Sequence, residues 1–302
     1  MTSVASLVSA FEHATSSPVV LRPGCKVNVN LAIVGVHEDG YHELDSLFVP
    51  MSSPCDTLTI TRNTQPGLKI VCPIPELAGT GNILHGAHAA WSGRVGYTPP
   101  LVIHLEKNIP MGGGLGGGSS DAAALLLWLN QVAGRQGLAR DQLVALAREL
   151  GADVPFFLVN RPCRARGRGE RLDPVDLDLS AYHGVIICPR VHVATSWAYQ
   201  AWDKQFGPGI REKKSSRILT MYNRAVRNPS SRRHLVLFND FESVVFPVHP
   251  LLYRLKLAVM AMGACGCVMS GSGASLVAFF QREQDREKAC TYLRARSISV
   301  HT

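Results

Sequence analysis

The sequence predicts a two-domain α+β fold, and three observations predict it. Its 302 residues exceed what one hydrophobic core usually organises. Strand-like alternation and helix-like spacing mix along the chain without the strict βαβ order of a doubly wound sheet. The texture changes after Arg161, where Arg161, Arg164, Arg166, Arg168 and Arg171 sit among glycines. That change sets the expected boundary at 163/164, with an N-terminal domain over 1–163 and a C-terminal domain over 164–302.

The elements follow in order. Val27, Val29, Leu31 and Ile33 alternate with Lys26, Asn28, Asn30 and Ala32, the pattern of a half-buried strand with Lys26 and Asn28 on one face. Leu58 and Ile60, set between Thr57, Thr59 and Thr61, mark a second strand. Ile83, Leu84, Ala87, Ala90 and Trp91 recur at helical spacing behind Asn82, a good N-cap. Leu101, Ile103 and Leu105 alternate as a third strand. An apolar helix then covers about 120–132, and another is capped by Asp141 and ends at Gly151. The later half carries a strand over 184–188 and helices near 240–246, 250–262 and 282–296.

Residues 257–280 are uncharged, yet glycines and serines between Gly263 and Gly273 interrupt them. They read as a helix end followed by a buried strand–turn–strand, not as a membrane span. The first 20 residues lack a basic leader and Glu12 interrupts their apolar run, so no secretory signal is expected. Eight cysteines without a C-x-x-C pair read as free thiols of a reducing cytoplasm. With 46% hydrophobic and 18% charged residues the composition is that of a soluble globular enzyme, and a net charge of +8 favours anionic partners.

The strongest local signal is Pro110-Met111-Gly112-Gly113-Gly114-Leu115-Gly116-Gly117-Gly118-Ser119-Ser120-Asp121. Six glycines in seven residues leave backbone N–H groups open to an anion, and the run leads into a helix whose positive end favours phosphate. A flexible linker would not sit between a buried-type strand and an Ala/Leu-rich helix. Gly112, Gly114 and Gly117 match the dinucleotide fingerprint, but almost any spacing matches within a glycine run. Gly113 and Gly118 have Walker-A spacing, with Ser119 in place of the lysine. A triphosphate bound here needs positive charge from elsewhere, and Lys26 and Lys107 are the candidates.

This loop resembles the second motif of the GHMP kinases. Gly24-Cys25-Lys26-Val27-Asn28 is similar to their first motif, with Cys25 in place of a small apolar residue. Met269-Ser270-Gly271-Ser272-Gly273-Ala274 is similar to their third. Asp39-Gly40-Tyr41-His42, Gly151-Ala152-Asp153-Val154-Pro155-Phe156-Phe157 and Asn239-Asp240-Phe241-Glu242 look like the branch that acts on a cytidine diphosphate-linked methylerythritol. The resemblance runs from about Arg22 to Phe280. Two stretches have no counterpart: residues 1–20 and the segment from Arg211 to Arg233, which holds eight Lys/Arg and one acid.

The resemblance implies a GHMP kinase fold: an N-terminal ATP-binding domain similar to ribosomal protein S5 domain 2, a ferredoxin-like C-terminal domain, and an active site in the cleft between them. It implies ATP-dependent phosphorylation of the acceptor's 2-hydroxyl, in non-mevalonate isoprenoid precursor biosynthesis. Asp153 is then the base or the group that orients the hydroxyl; from its position alone it is an ordinary cap. Lys26 meets the acceptor hydroxyl or the γ-phosphate; alone, it reads as a solvated lysine at a strand edge or part of a polar face with Asn28. Residues Pro110 to Ser120 bind ATP, and Asn82 and Lys107 border the adenine. Tyr41 and Tyr199 wall the cytosine and His42 hydrogen-bonds it, although both tyrosines also fit a core or rim. Thr195 meets the methylerythritol or caps a helix. Mg²⁺ accompanies ATP through phosphate oxygens and Ser119 or Ser120, with no protein ligand set identified.

Other patterns carry less. His85 and His88 share a helix without a third ligand and read as a surface pair. Gly271-Ser272-Gly273 is too tight for a nucleophile elbow. The arginines from Arg161 to Arg171 read as a solvated basic face able to steer an anionic substrate. They lack the interleaved aromatics of a nucleic-acid reader. The partner expected is a small molecule, not nucleic acid or a membrane.

Overall fold

The computed structural model describes residues 4–207 and 235–302, so the basic segment from Arg211 to Arg233 lies outside the described residues. The chain divides into two compact units that are interleaved in sequence. The first comprises residues 1–25, 55–109 and 116–160; the second comprises 26–54, 110–115 and 161–302. One passage between them falls at 160/161, close to the texture change after Arg161. The others fall at 25/26, 54/55, 109/110 and 115/116.

The first unit holds a four-stranded sheet in the order β1 (Val19–Leu21), β4 (Thr57–Arg62), β6 (Leu101–Glu106), β5 (Leu68–Val71). β4 pairs antiparallel with β1 and β6, and β5 runs parallel to β6. Leu58, Ile60, Leu101, Ile103 and Leu105 are buried while the threonines between them are partly open, so the period-2 alternation resolves as expected. Its helices include α1 (Val4–Ala14), α2 (Pro75–Ala78), α3 (Ile83–Val95), α4 (Gly117–Ala133), α5 (Arg140–Leu150) and α6 (Val154–Val159). α4 is central among them and packs on α1, α3 and α6. The N-terminal stretch is packed into this unit: Phe11 of α1 is buried between Trp91 and Trp128, 5.8 Å from each ring.

Two expected helix starts are corrected. α5 begins before Asp141, because Ala139 occupies the N-cap and its N–H donates to Gln142 Oε1 at 2.9 Å. Asp141 instead lies in the first turn, where its charge complements the helix dipole. α4 begins at Gly117 rather than near Ser120. Gly117 belongs to the helix and packs so closely on Ile109 that a Cβ there would lie 2.9 Å from Ile109 Cγ2.

The second unit holds two sheets. One has the order β10 (Phe238–Asn239), β2 (Cys25–Val36), β3 (His42–Met51), β7 (Cys163–Gly167), β8 (Arg171–Pro174). The other is antiparallel, in the order β11 (Gly266–Met269), β12 (Leu276–Phe280), β9 (His183–Cys188), β13 (Ser299–His301). With them go α7 (Thr195–Phe206), α8 (Glu242–Val248), α9 (Pro250–Ala261) and α10 (Glu283–Arg294). A core including Leu31, Ile33, Trp202, Phe241, Leu252, Leu276 and Phe280 fills this unit. Residues 257–280 form the end of α9, β11, a turn and β12, as the interrupting glycines predict. Among the described residues no single helix is long and apolar enough to cross a membrane.

Three further expectations are corrected. β2 is buried on both faces, not one: Lys26, Asn28 and Asn30 are as enclosed as the valines between them. Its polar face is covered by Ser46 and Ser270, which supply hydrogen-bond partners. His88 is not at the surface, because its ring is buried and its Nε2 lies 2.9 Å from Pro99 O. The arginine cluster is not a free basic face: Arg164 pairs with Asp45, Arg166 with Asp173, Arg168 with Asp39 and Arg171 with Glu43.

Candidate active site

The glycine run is a backbone surface shaped by left-handed residues. Gly112, Gly114 and Gly116 have φ of +67°, +73° and +71°, and Gly116 is the N-cap residue of α4. The first part of the loop is held from the second unit. Ser270 Oγ donates to Gly114 O at 3.0 Å and accepts the Asn28 N–H at 3.1 Å, and the Lys26 N–H donates to Leu115 O at 2.9 Å. The third motif thus touches the second through Ser270, and a Cβ on Gly114 would lie 2.2 Å from Ser270 O. Asn239 braces this turn, donating from Nδ2 to Met269 O and Gly271 O, each at 2.7 Å.

The loop residues differ in what they offer a ligand. Leu115 puts its side chain into the core, so only its backbone is available. Met111 is exposed, Pro110 and Ser119 are half-buried, and Ser120 is buried in the first turn of α4. Gly113 is buried and Gly118 open. Among the described residues no three His, Cys, Asp or Glu side chains gather to hold a metal.

Lys26 is buried, which excludes the solvated strand-edge alternative. Its ammonium donates to Asn28 Oδ1 at 2.7 Å and sits 4.5 Å from the centre of the Phe48 ring. Asn28 Nδ2 in turn donates to Ser46 Oγ at 2.8 Å. Asn28 therefore serves first to fix Lys26.

Lys107 and Asn82 are committed inside the first unit. Lys107 Nζ pairs with Asp56 Oδ2, and with Asp121 Oδ2 at 2.8 Å. Burial disfavours its ammonium, but the two carboxylates outweigh that and hold its pKa above the ordinary lysine value. Burial pushes Asp121 up to about 7 against the pull of Lys107. Asp121 Oδ1 is buried without a hydrogen-bond partner among the described residues. Asp56 Oδ1 accepts the N–H groups of Asn108 and Ile109 at 2.6 and 2.8 Å, which anchors the approach to the loop. The Lys107 charge is thus neutralised locally. Asn82 caps α3, accepting Leu84 N–H at 3.0 Å and donating to Leu77 O at 2.7 Å.

Asp153 occupies the N-cap position of α6, yet its side chain makes no capping hydrogen bond. It is half-buried ahead of the buried run Val154 to Leu158.

Tyr41, His42, Thr195 and Tyr199 all belong to the second unit. Tyr41 stands at the tip of the β2–β3 hairpin, in a turn closed by Gly40 (φ +81°), and is 57% exposed. His42 starts β3 and is buried. Three residues of α7 grip its ring. Tyr199 stacks on it at 4.4 Å and 30°, Trp202 meets it edge-on at 5.9 Å, and Asp203 Oδ1 lies 2.7 Å from Nε2. Thr195 is the first helical residue of α7, not its N-cap, and its Oγ1 lies 2.8 Å from Ser272 Oγ. Asp203, Asp121, Asp56 and Arg168 are absent from the sequence-derived set. A signal existed for Asp203, four residues after Tyr199 and so on the same helix face. The partners of the others lie 14 to 129 positions away in the chain.

The chain matches the family models described as "GHMP kinases N terminal domain", over residues 82–161, and "GHMP kinases C terminal", over residues 224–298. It is 43% identical over 286 residues to the 4-diphosphocytidyl-2-C-methyl-D-erythritol kinase of Nitratidesulfovibrio vulgaris, covering 94% of this chain and 97% of that one. The enzyme of the same name from Geobacter sulfurreducens is 35% identical over 92% of this chain. The fold superposes on a crystal structure of 4-(cytidine 5'-diphospho)-2C-methyl-D-erythritol kinase with a TM-score of 0.75, at 34% identity, covering 92% of this chain and 96% of that one. A homoserine kinase from Cytophaga hutchinsonii shares the fold, with a TM-score of 0.67 at 20% identity. With its loop, its supporting turn and these likenesses along almost its whole length, this chain belongs to the GHMP kinase family.

Proposed function

We propose that this protein transfers the γ-phosphoryl group of ATP to the 2-hydroxyl of 4-diphosphocytidyl-2-C-methyl-D-erythritol, a step of non-mevalonate isoprenoid precursor biosynthesis. The glycine loop carries the phosphoryl-transfer reading: three left-handed glycines lead into α4, the last of them its N-cap, and Ser270 holds the loop at Gly114. The acceptor follows from 43% identity to a relative of that name along 94% of the chain.

Phosphoryl transfer asks the protein mainly to position groups and offset charge. Gly112 to Gly118 and the α4 N-terminus receive the phosphates. Lys26, fixed by Asn28, supplies the positive charge that Lys107 does not. Asp153, half-buried at the start of α6, takes or orients the acceptor hydroxyl proton. Tyr41 stacks on the cytosine, His42 reads its edge, and Tyr199 supports His42 from behind. Mg²⁺ bound with ATP would neutralise phosphate charge, and Ser119 and Ser120 are the hydroxyls at that helix end. Asn82 and Lys107 offer the adenine their backbone and flanks rather than their polar tips.

ADP release by the purified protein tests this reading directly. Turnover is expected with the cytidine diphosphate-linked acceptor, and little with mevalonate, homoserine or methylerythritol phosphate. Faster turnover of any of the last three would return the protein to another branch of the family.

A further inference from the structure

The geometry points to Asp203 as the positioning residue that sets specificity for cytosine over uracil, by fixing which nitrogen of His42 carries the proton. This rests on the proposal that His42 reads the base edge. His42 is held by three groups: Tyr199 stacks on its ring, Trp202 stands perpendicular to it, and Asp203 Oδ1 lies 2.7 Å from Nε2. An ionised carboxylate only accepts hydrogen bonds, so in neutral His42 the proton sits on Nε2 and Nδ1 is left as an acceptor.

That assignment has a chemical consequence at the base. Cytosine presents an exocyclic amine that donates; uracil presents an oxygen that accepts, in the same place. A bare Nδ1 pairs with the amine. Against uracil it faces a second acceptor, and a polar group is left unpaired in a partly enclosed site. Stacking on Tyr41 cannot supply this discrimination, because every base has a face to stack. The selecting atom belongs to His42, while the residue that makes it selective lies on α7, 161 positions away.

Thr195, Tyr199 and Asp203 recur every four residues along one face of α7. Thr195 meets Ser272 of the turn that supports the phosphate loop, and the next two hold His42. One helix face therefore runs from the loop support to the base reader.

The test has two arms. Nitrogen NMR of histidine-labelled wild-type protein at pH 8 should show His42 protonated at Nε2 and bare at Nδ1. The opposite tautomer would overturn the inference without any mutation. In the kinetic arm, the cytidine- and uridine-diphosphate-linked acceptors are compared in wild type, Asp203→Asn and His42→Ala. Asn can present an amide donor to Nε2 and so allow the Nδ1–H form. Its preference for cytidine in kcat/KM should fall about 10-fold or more, with KM for ATP unchanged. A merely structural role would slow both acceptors alike and leave the ratio intact. If His42→Ala loses the preference and Asp203→Asn keeps it, this inference fails while base reading by His42 stands. If His42→Ala also keeps it, base reading by His42 fails as well.

Discussion

The guanidinium carbon of Arg168 lies 3.7 Å from the centre of the Tyr41 ring. Arg168 projects from the turn between β7 and β8 and is also paired with Asp39, two residues before Tyr41. Stacked on one face and tied to the same hairpin tip, it steadies a tyrosine that is otherwise exposed.

Tyr41→Ala should therefore raise KM for the cytidine acceptor and leave KM for ATP nearly unchanged. One stacked base is worth about 1–3 kcal/mol, or roughly 5- to 150-fold. Arg168→Ala should shift the same constant in the same direction, but less. An unaltered acceptor KM in Tyr41→Ala would remove the stacking role.

Asp153→Asn, a change of nearly equal size at a half-buried position, should fold normally, and turnover should fall by about 10²-fold or more. Thermal melting checks the first half of this statement and kcat the second. A well-folded variant with near-normal kcat would exclude Asp153 from the transfer step.

Gly116→Val places a β-branched residue at φ +71° on the N-cap of α4, a conformation it adopts only under strain. Titration calorimetry should show weakened ATP binding beyond what any loss of melting temperature explains. Normal ATP affinity would mean that the phosphates bind elsewhere.

The Asp121 carboxyl, raised to about 7 by burial, keeps in the folded protein a proton that the unfolded chain releases near pH 4. The unfolded state then binds fewer protons, so this group makes stability fall as pH rises from about 4 to about 7. Asp121→Asn cannot ionise and should escape that fall. Its melting temperature relative to wild type should climb between about pH 5 and about pH 8. A difference that stays flat with pH would show that Asp121 is ionised throughout.

The local elements of this fold are legible because their signals lie within a few residues. Alternation marks β4 and β6, Asn82 caps α3 as its residue type suggests, and the glycine run announces the left-handed turns that lead into α4. What pairs with what is not local. Lys107 reads as a free cation in sequence, and its two carboxylates come from positions 56 and 121. Lys26 reads only slightly better as part of a polar face than as a solvated lysine, and the enclosure of β2 decides between them. The arginines after Arg161 look like a basic face because their acids, Asp39, Glu43 and Asp45, sit on a strand and turn more than a hundred residues earlier. The third motif shows its glycines in sequence, but its contact with Gly114 across 156 positions does not show.

The interleaving of the two units bears on how the protein can be dissected. The chain passes between them five times, so no single cut yields a fragment that contains all of one unit and nothing of the other. A fragment beginning at residue 164 would carry most of β7, with β8 and β10, but would lack β2 and β3, the strands that join β10 to β7 in the five-stranded sheet. Its exposed strand edges would favour aggregation over folding. Both halves made together from a nicked gene supply every strand, so reassembly of split fragments is the route by which the pieces of this protein can be studied apart.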